Sequence, residues 1–212
     1  LARKKKKSKV RYFIYLLLIV LAFGLGYGAK KIHREIQENR IMHANRDKLL
    51  AEQRAKREKQ QKFIKQIADA SIATYREKYH VLPSIVIAQA IVESNWGDSK
   101  LYQVANNPFG IKGSYNGQSI SYDTNEYQNG KKITIQAAFR KYPDLKAAIA
   151  DHDKTIAEHF IKEKNVTSYL KAARLLQENV YATDPNYAKT LVSVIRQFDL
   201  AKYDLEAMNI NK

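Results

Sequence analysis

The chain contains no cysteine. That absence excludes a disulfide scaffold, a thiolate zinc site and a cysteine nucleophile. Tryptophan occurs once and proline four times in 212 residues. Several catalytic signatures are missing as well: there is no GxSxG elbow, no HExxH helix and no Walker loop. The five histidines, His33, His43, His80, His152 and His159, do not pair with a second ligand on one helical face. The run Asp151-His152-Asp153 sends successive side chains in different directions on a helix, so it reads as helix packing plus surface charge. No metal and no cofactor is expected.

Acidic residues are scarce in one part of the chain. Lys and Arg outnumber Asp and Glu by 37 to 21, a net charge of +16. Residues 1–62 hold 18 basic and 5 acidic residues, a net of +13, which leaves only +3 for residues 63–212. A nucleic-acid binder carries its basic stripe on the folded domain, so this distribution argues against nucleic acid as a partner. A hydrophobic content of 45% excludes a wholly disordered chain. Fourteen tyrosines supply flat apolar faces with polar tips, which suit sugar rings and wet clefts.

The basic excess flanks an apolar run. Tyr12 to Ala29 is eighteen residues without a charge. As a helix it spans ~27 Å, close to the ~30 Å hydrocarbon core of a bilayer. Arg3, Lys4, Lys5, Lys6, Lys7, Lys9 and Arg11 precede it, against Lys30, Lys31 and Arg34 after it. The positive-inside rule then places residues 1–11 in the cytoplasm as a basic tail and everything after Lys30 outside. A cleaved signal peptide is the competing reading, but the run exceeds the usual ~7–15 residue signal core, so a retained single-pass anchor over 12–29 is expected. Residues 30–62 contain neither Pro nor Gly and are rich in helix formers. Ile32, Ile36, Ile41, Leu49 and Leu50 are too sparse for a heptad seam, so this segment reads as a charged helical stem that lifts a domain from the membrane.

Residues 63–212 are long enough for one domain. Phe63, Ile64, Ile67, Ile72, Tyr75 and Tyr79 fit a first amphipathic helix ending near His80. Pro83 opens a nearly all-apolar helix over 84–94 that reads as central and buried, with Gly97 as terminator. Asn129-Gly130 between two extended runs, 118–127 and 131–139, is a hairpin signal. Ile133, Ile135, Ala137 and Phe139 alternate, which predicts one inward-packing face on that hairpin. Residues 144–159, 168–179 and 185–197 read as three more helices, the last with Asp184 as cap and Pro185 at its first position. The expected fold is mainly α, with a small β-hairpin lobe inserted after the central helix.

Glu93 is the candidate for chemistry. It ends the apolar helix beside Trp96, with Gln89 one turn earlier on the same face. Desolvation and the negative end of the helix dipole both raise a carboxyl pKa there, as a general acid for glycoside cleavage requires. A salt-bridged carboxylate at a helix end is the equal alternative from the residues alone. A second carboxylate is expected across a cleft. Glu126 and Asp123 both lie late in the first hairpin strand, and their odd spacing gives them opposite faces, with a solvated hairpin charge as the default for either.

The strings AQAIVESNWGDSKL, ANNPFGIKG, TNEYQNGKK, FRKYPDLKAAIADH and YATDPNYAKTL, in this order, resemble glycoside hydrolase family 73, the endo-β-N-acetylglucosaminidases of bacterial peptidoglycan. The resemblance covers roughly Ile67 to Asp204. It implies a lysozyme-like helical lobe with a small β-lobe. It implies Glu93 as catalytic acid and Glu126 as the β-lobe carboxylate that acts on a water or on the developing positive charge, although the family also includes members that place the second role differently. Tyr181 and Tyr187 match aromatic positions lining the glycan, and Asn107 and Phe109 match the segment that shapes the cleft floor. Gln89, Trp96 and Tyr127 complete the expected substrate-contacting set. The implied partners are peptidoglycan strands and, through residues 12–29, the lipid bilayer, with room for a membrane-protein partner. Rival readings are a lytic transglycosylase or muramidase on the same fold, and a non-catalytic wall-binding scaffold.

Overall fold

The computed structural model describes the backbone of residues 2–128 and 131–208, and the side chains of residues 11–124 and 133–208. The chain divides into two compact units, residues 1–57 and 58–212. Helix α1 runs Ala2–Thr74. In the first unit it contains an 18-residue window of mean hydropathy 2.0, none of it buried, long and apolar enough to cross a membrane. Residues 30–57 of the same unit are exposed along their whole length, as expected of a helix with charge on every face.

The second unit is mainly helical with one two-stranded antiparallel sheet. The last turns of α1 bury Phe63, Ile64, Ile67 and Ala68, whose spacing puts one apolar stripe on the core. A π-helical turn, Tyr75–Tyr79, follows, and His80 closes it in the left-handed conformation at φ 53°. Helix α2 (Pro83–Ser94) is the centre of the core. Ten of its twelve residues are buried, so its sequence has no polar face until its last turn. Helices α5 (Tyr169–Glu178), α6 (Tyr187–Gln197) and α7 (Ala201–Met208) pack on it. They contribute Ala172, Ala173, Leu176, Leu191 and Ile195 to the same cluster. Each large aliphatic residue buried there contributes ~1.5–3 kcal/mol.

Pro83 does open α2, since its missing N–H costs nothing at the first position. The next donors find an acceptor on α7: Ser84 N and Ser84 Oγ donate to the Asp204 carboxylate at 2.7 and 2.6 Å. The other end differs from the expectation. The left-handed residue that stops α2 is Asn95 (φ 49°), not Gly97. Asn tolerates that conformation. Gly97 is required for a different reason: a Cβ there would lie 2.9 Å from the Phe63 ring.

A short helix α3 (Lys100–Ala105), absent from the sequence reading, is capped by Ser99, whose Oγ accepts from Tyr102 N at 3.2 Å. Strands β1 (Ser119–Gln128) and β2 (Lys131–Arg140) pair with Ser119 opposite Arg140 and Gln128 opposite Lys131. Asn129 and Gly130 lie outside the described residues. The inward face expected of β2 is confined to its root. Phe139 is 4% exposed but Ile135 is 38% exposed, because the hairpin extends away from the helical core. Asn107, fully buried, fastens that root. Its Nδ2 donates to the carbonyls of Ile111 and Arg140, and its Oδ1 accepts from Ile111 N. Arg140 adds an ion pair to Asp151 of helix α4 (Leu145–Thr155), and Tyr142 Oη donates to the same carboxylate at 2.6 Å. A π-helical turn, Ile156–Phe160, ends that helix. Helix α6 starts at Tyr187 with Asn186 as cap, two residues later than expected, because Asp184 caps the turn containing Pro185 through Asn186 N at 2.8 Å.

Candidate active site

The last turn of α2 presents Glu93 at the surface of the helical lobe. Its position is fixed by the chain reversal that follows. Ser94 Oγ donates to Ala90 O and accepts from Gly97 N, while Ser94 O accepts from Ser99 N at 2.8 Å. The turn therefore closes on the helix end rather than over the carboxylate. Trp96, left-handed at φ 62°, is wedged edge-on between Phe63 and Phe198, with ring centroids 6.3 and 4.7 Å away.

Glu93 Oε1 accepts a hydrogen bond from Tyr187 Oη at 2.9 Å. Tyr187 Oη in turn accepts from Gln89 Nε2 at 3.1 Å. Gln89 and Glu93 are one turn apart on α2, so both reach the same phenol, 94 positions on from Glu93 in the sequence. The carboxyl is open to the surface on one side and crowded by protein on the other. That crowding pushes its pKa up from 4.5, and the Tyr187 bond, which favours the anion, pulls it part of the way back. Burial and the nearby Glu93 charge push both Tyr187 and Tyr181 above the usual phenol value, so each remains protonated. The Tyr187 hydroxyl is therefore a fixed donor to Glu93 across the working pH range of a protein.

An aromatic stack extends from this phenol. The Tyr181 ring lies against Tyr187 with centroids 5.5 Å apart and meets Phe160 edge-on at 5.0 Å. Behind it, His152 contacts Tyr181 edge-on and stacks on Phe109 at 3.8 Å. His152 Nδ1 lies 3.0 Å from Asp153 Oδ1, with both residues fully buried. Burial lowers the His152 pKa and raises that of Asp153, disfavouring the charged form of each. The reading of Asp153 as surface charge is corrected here: α4 turns it into the core.

The expected site residues fall into three sets. Glu93, Trp96, Tyr181 and Tyr187 gather at one end of α2. Tyr187 is itself only 3% exposed, so it meets Glu93 through its hydroxyl rather than offering a ring face, and Gln89 and Asn107 are fully buried, so neither has a surface for substrate. Their expected contact with substrate is replaced by support, Gln89 of the Tyr187 phenol and Asn107 of the hairpin root. Phe109, 5% exposed, likewise serves as a floor beneath His152. The side chains of Glu126 and Tyr127 lie outside the described residues, and the backbone of Glu126 pairs with Ile133. The sequence reading missed the buried pair of His152 and Asp153. The only signal for it was an apolar periodicity in 145–156 that includes position 152.

Residues 69–200 match the glucosaminidase family, described as mannosyl-glycoprotein endo-beta-N-acetylglucosaminidase. The chain is 35% identical over 211 residues to the exo-glucosaminidase LytG of Bacillus subtilis, covering 96% of this chain and 70% of that protein. It is 38% identical over 152 residues to a probable N-acetylmuramidase of Lactococcus lactis, covering 67% of this chain and 34% of that protein. The chain thus spans about a third of the lactococcal relative. Among solved structures, the catalytic domain of the autolysin Auto from Listeria monocytogenes is similar with a TM-score of 0.63 and 38% identity, over 68% of this chain and 87% of that one.

Proposed function

The chain belongs to the glucosaminidase family of glycoside hydrolases, and on that footing we propose that it is a membrane-anchored peptidoglycan hydrolase. The bond cut is the β-1,4 link from N-acetylglucosamine to N-acetylmuramic acid. The observation that carries this reading is Glu93: a carboxyl at the open end of a buried helix, raised in pKa by its surroundings and held by the Tyr187 phenol. The names of the relatives, a glucosaminidase, a muramidase and an autolysin, support a peptidoglycan substrate.

The mechanism follows from the residues. Glu93, protonated, gives its proton to the glycosidic oxygen as the bond to the anomeric carbon of N-acetylglucosamine breaks. As the carboxylate forms, Tyr187 donates to it, so the bond strengthens as charge develops. Gln89 holds the phenol's other side, which keeps its proton directed at Glu93. Glu126 supplies the second carboxylate, activating a water or stabilising the oxocarbenium ion. Strand periodicity assigns position 126 the face of Tyr122 and position 123 the opposite one.

The apolar helix ahead of the stem supports anchoring, with the N-terminus cytoplasmic and the catalytic unit outside the bacterial membrane. The reading is tested by mass spectrometry of purified peptidoglycan digested with the full chain in detergent. The expected fragments carry reducing-end N-acetylglucosamine. Reducing-end muramic acid would instead establish the muramidase reading that the lactococcal relative's name favours, and anhydromuramic ends a transglycosylase. The length distribution of the fragments separates endo from exo cleavage.

A further inference from the structure

Lys100 stands between the end of α2 and the hairpin. It begins α3 immediately after the Ser99 N to Ser94 O bond that folds the chain back on the turn carrying Glu93. Its Nζ lies 5.7 Å from the centroid of the Tyr122 ring on β1. The side chain is exposed, and among the described residues no carboxylate pairs with it. Neighbouring cations are committed elsewhere: Lys59 to Asp98 at 2.5 Å, and Arg140 to Asp151 and Lys112 O. A tyrosine face offsets a lysine charge only in part. Among the described residues, the Tyr122 ring is therefore the group that meets this charge, at a point where α3 approaches β1.

From this placement we infer that Lys100 is a specificity residue that reads a carboxylate on the glycan. The inference rests on the function proposed above. N-acetylglucosamine offers no charge. Its neighbour in peptidoglycan carries a lactyl ether, whose carboxyl is either free or extended into a peptide with carboxylates of its own. A glycan seated over Glu93 and reaching the hairpin passes Lys100, and either carboxylate there forms an exposed ion pair. The Tyr122 ring holds the ammonium group in place for it. Neutral chitin-like strands make no such pair, so the site prefers acidic glycan.

The test uses the full chain in detergent and three preparations of one glycan. The first consists of peptide-free strands with free lactyl carboxylates, the second of the same strands with those carboxylates converted to methyl amides, and the third of strands that retain their peptides. The native chain is expected to cleave the acid form with about three- to fivefold higher kcat/KM than the amidated form, as befits one exposed ion pair. That preference should shrink as ionic strength rises. Lys100→Gln removes the preference mainly through KM, and Lys100→Arg, which keeps the charge, retains it. A Lys100→Gln effect confined to peptide-bearing strands assigns the carboxylate to the peptide rather than the lactyl group. Equal cleavage of acid and amidated strands by the native chain with no Lys100→Gln effect on peptide-bearing strands, or an undiminished preference in Lys100→Gln, overturns the inference and leaves the hydrolase reading intact. A native chain that cleaves none of the three overturns that reading and the inference with it.

Discussion

At Glu93, burial and one hydrogen bond from Tyr187 act on a carboxyl in opposite directions, with burial the larger. Tyr187→Phe removes the opposing bond, so the carboxyl pKa climbs further and its acid form persists to higher pH. The expected pH–rate profile has its alkaline limb displaced upward. Turnover itself falls by ~10- to 100-fold, because the anion formed in the transition state loses a donor. An unmoved limb would show that Tyr187 does not tune Glu93. At this scale the sequence was legible in part. Glu93 declared itself as a charged residue closing an apolar helix, and Gln89 as its neighbour one turn away. Their common partner could not be read from spacing, because Tyr187 is brought to α2 only by the packing of α6. Gln89 looked like a cleft residue for the same reason, since spacing gives the face of a helix but not what covers it.

Among the elements, α2 depends on its neighbours at both ends. Its first turn has no side-chain cap of its own and uses the Asp204 carboxylate instead. Burial raises the Asp204 pKa while the two Ser84 bonds lower it, so the group is held by its partners against its own desolvation. Asp204→Ala leaves a buried N–H and hydroxyl unpaired and should cost ~1–3 kcal/mol of stability. In thermal unfolding that is a loss of ~2–4 °C per kcal/mol for a unit of this size. An unchanged melting temperature would refute the cap. Long elements with clear periodicity, α2, α5 and the hairpin, were legible within a residue or two. The short ones were not. Helix α3 has six residues and α7 eight, too few for an apolar period to repeat. The hairpin's inward face was overread because alternation reports a pleat, whereas burial requires a second layer beneath it. Only Phe139, at the root, has one.

For the whole molecule, charge and hydropathy divide the chain as the contacts do. The catalytic unit is nearly neutral, and the basic excess lies with the apolar helix and stem. With the anchoring proposed above, that arrangement would confine cutting to glycan near the membrane. Replacing residues 1–57 with a cleavable signal peptide should broaden the glycan cut in cells from membrane-proximal strands to the wall at large, seen as a rise in soluble fragments per cell. An unchanged fragment pattern would mean that the anchor has no role in substrate choice. This level was legible from the outset because it needs only composition, whereas the hairpin carboxylate depends on geometry at Glu126, outside the described side chains.

The most direct measurement compares Glu93→Gln with the native chain on purified peptidoglycan. The amide keeps the oxygen that accepts from Tyr187 and cannot deliver a proton. We predict a fall in turnover of about 10³-fold or more, the upper part of the range for a lost general acid, with an unchanged melting temperature. A Glu93→Gln chain that folds and still cleaves at the native rate would contradict the assignment of Glu93 as the acid.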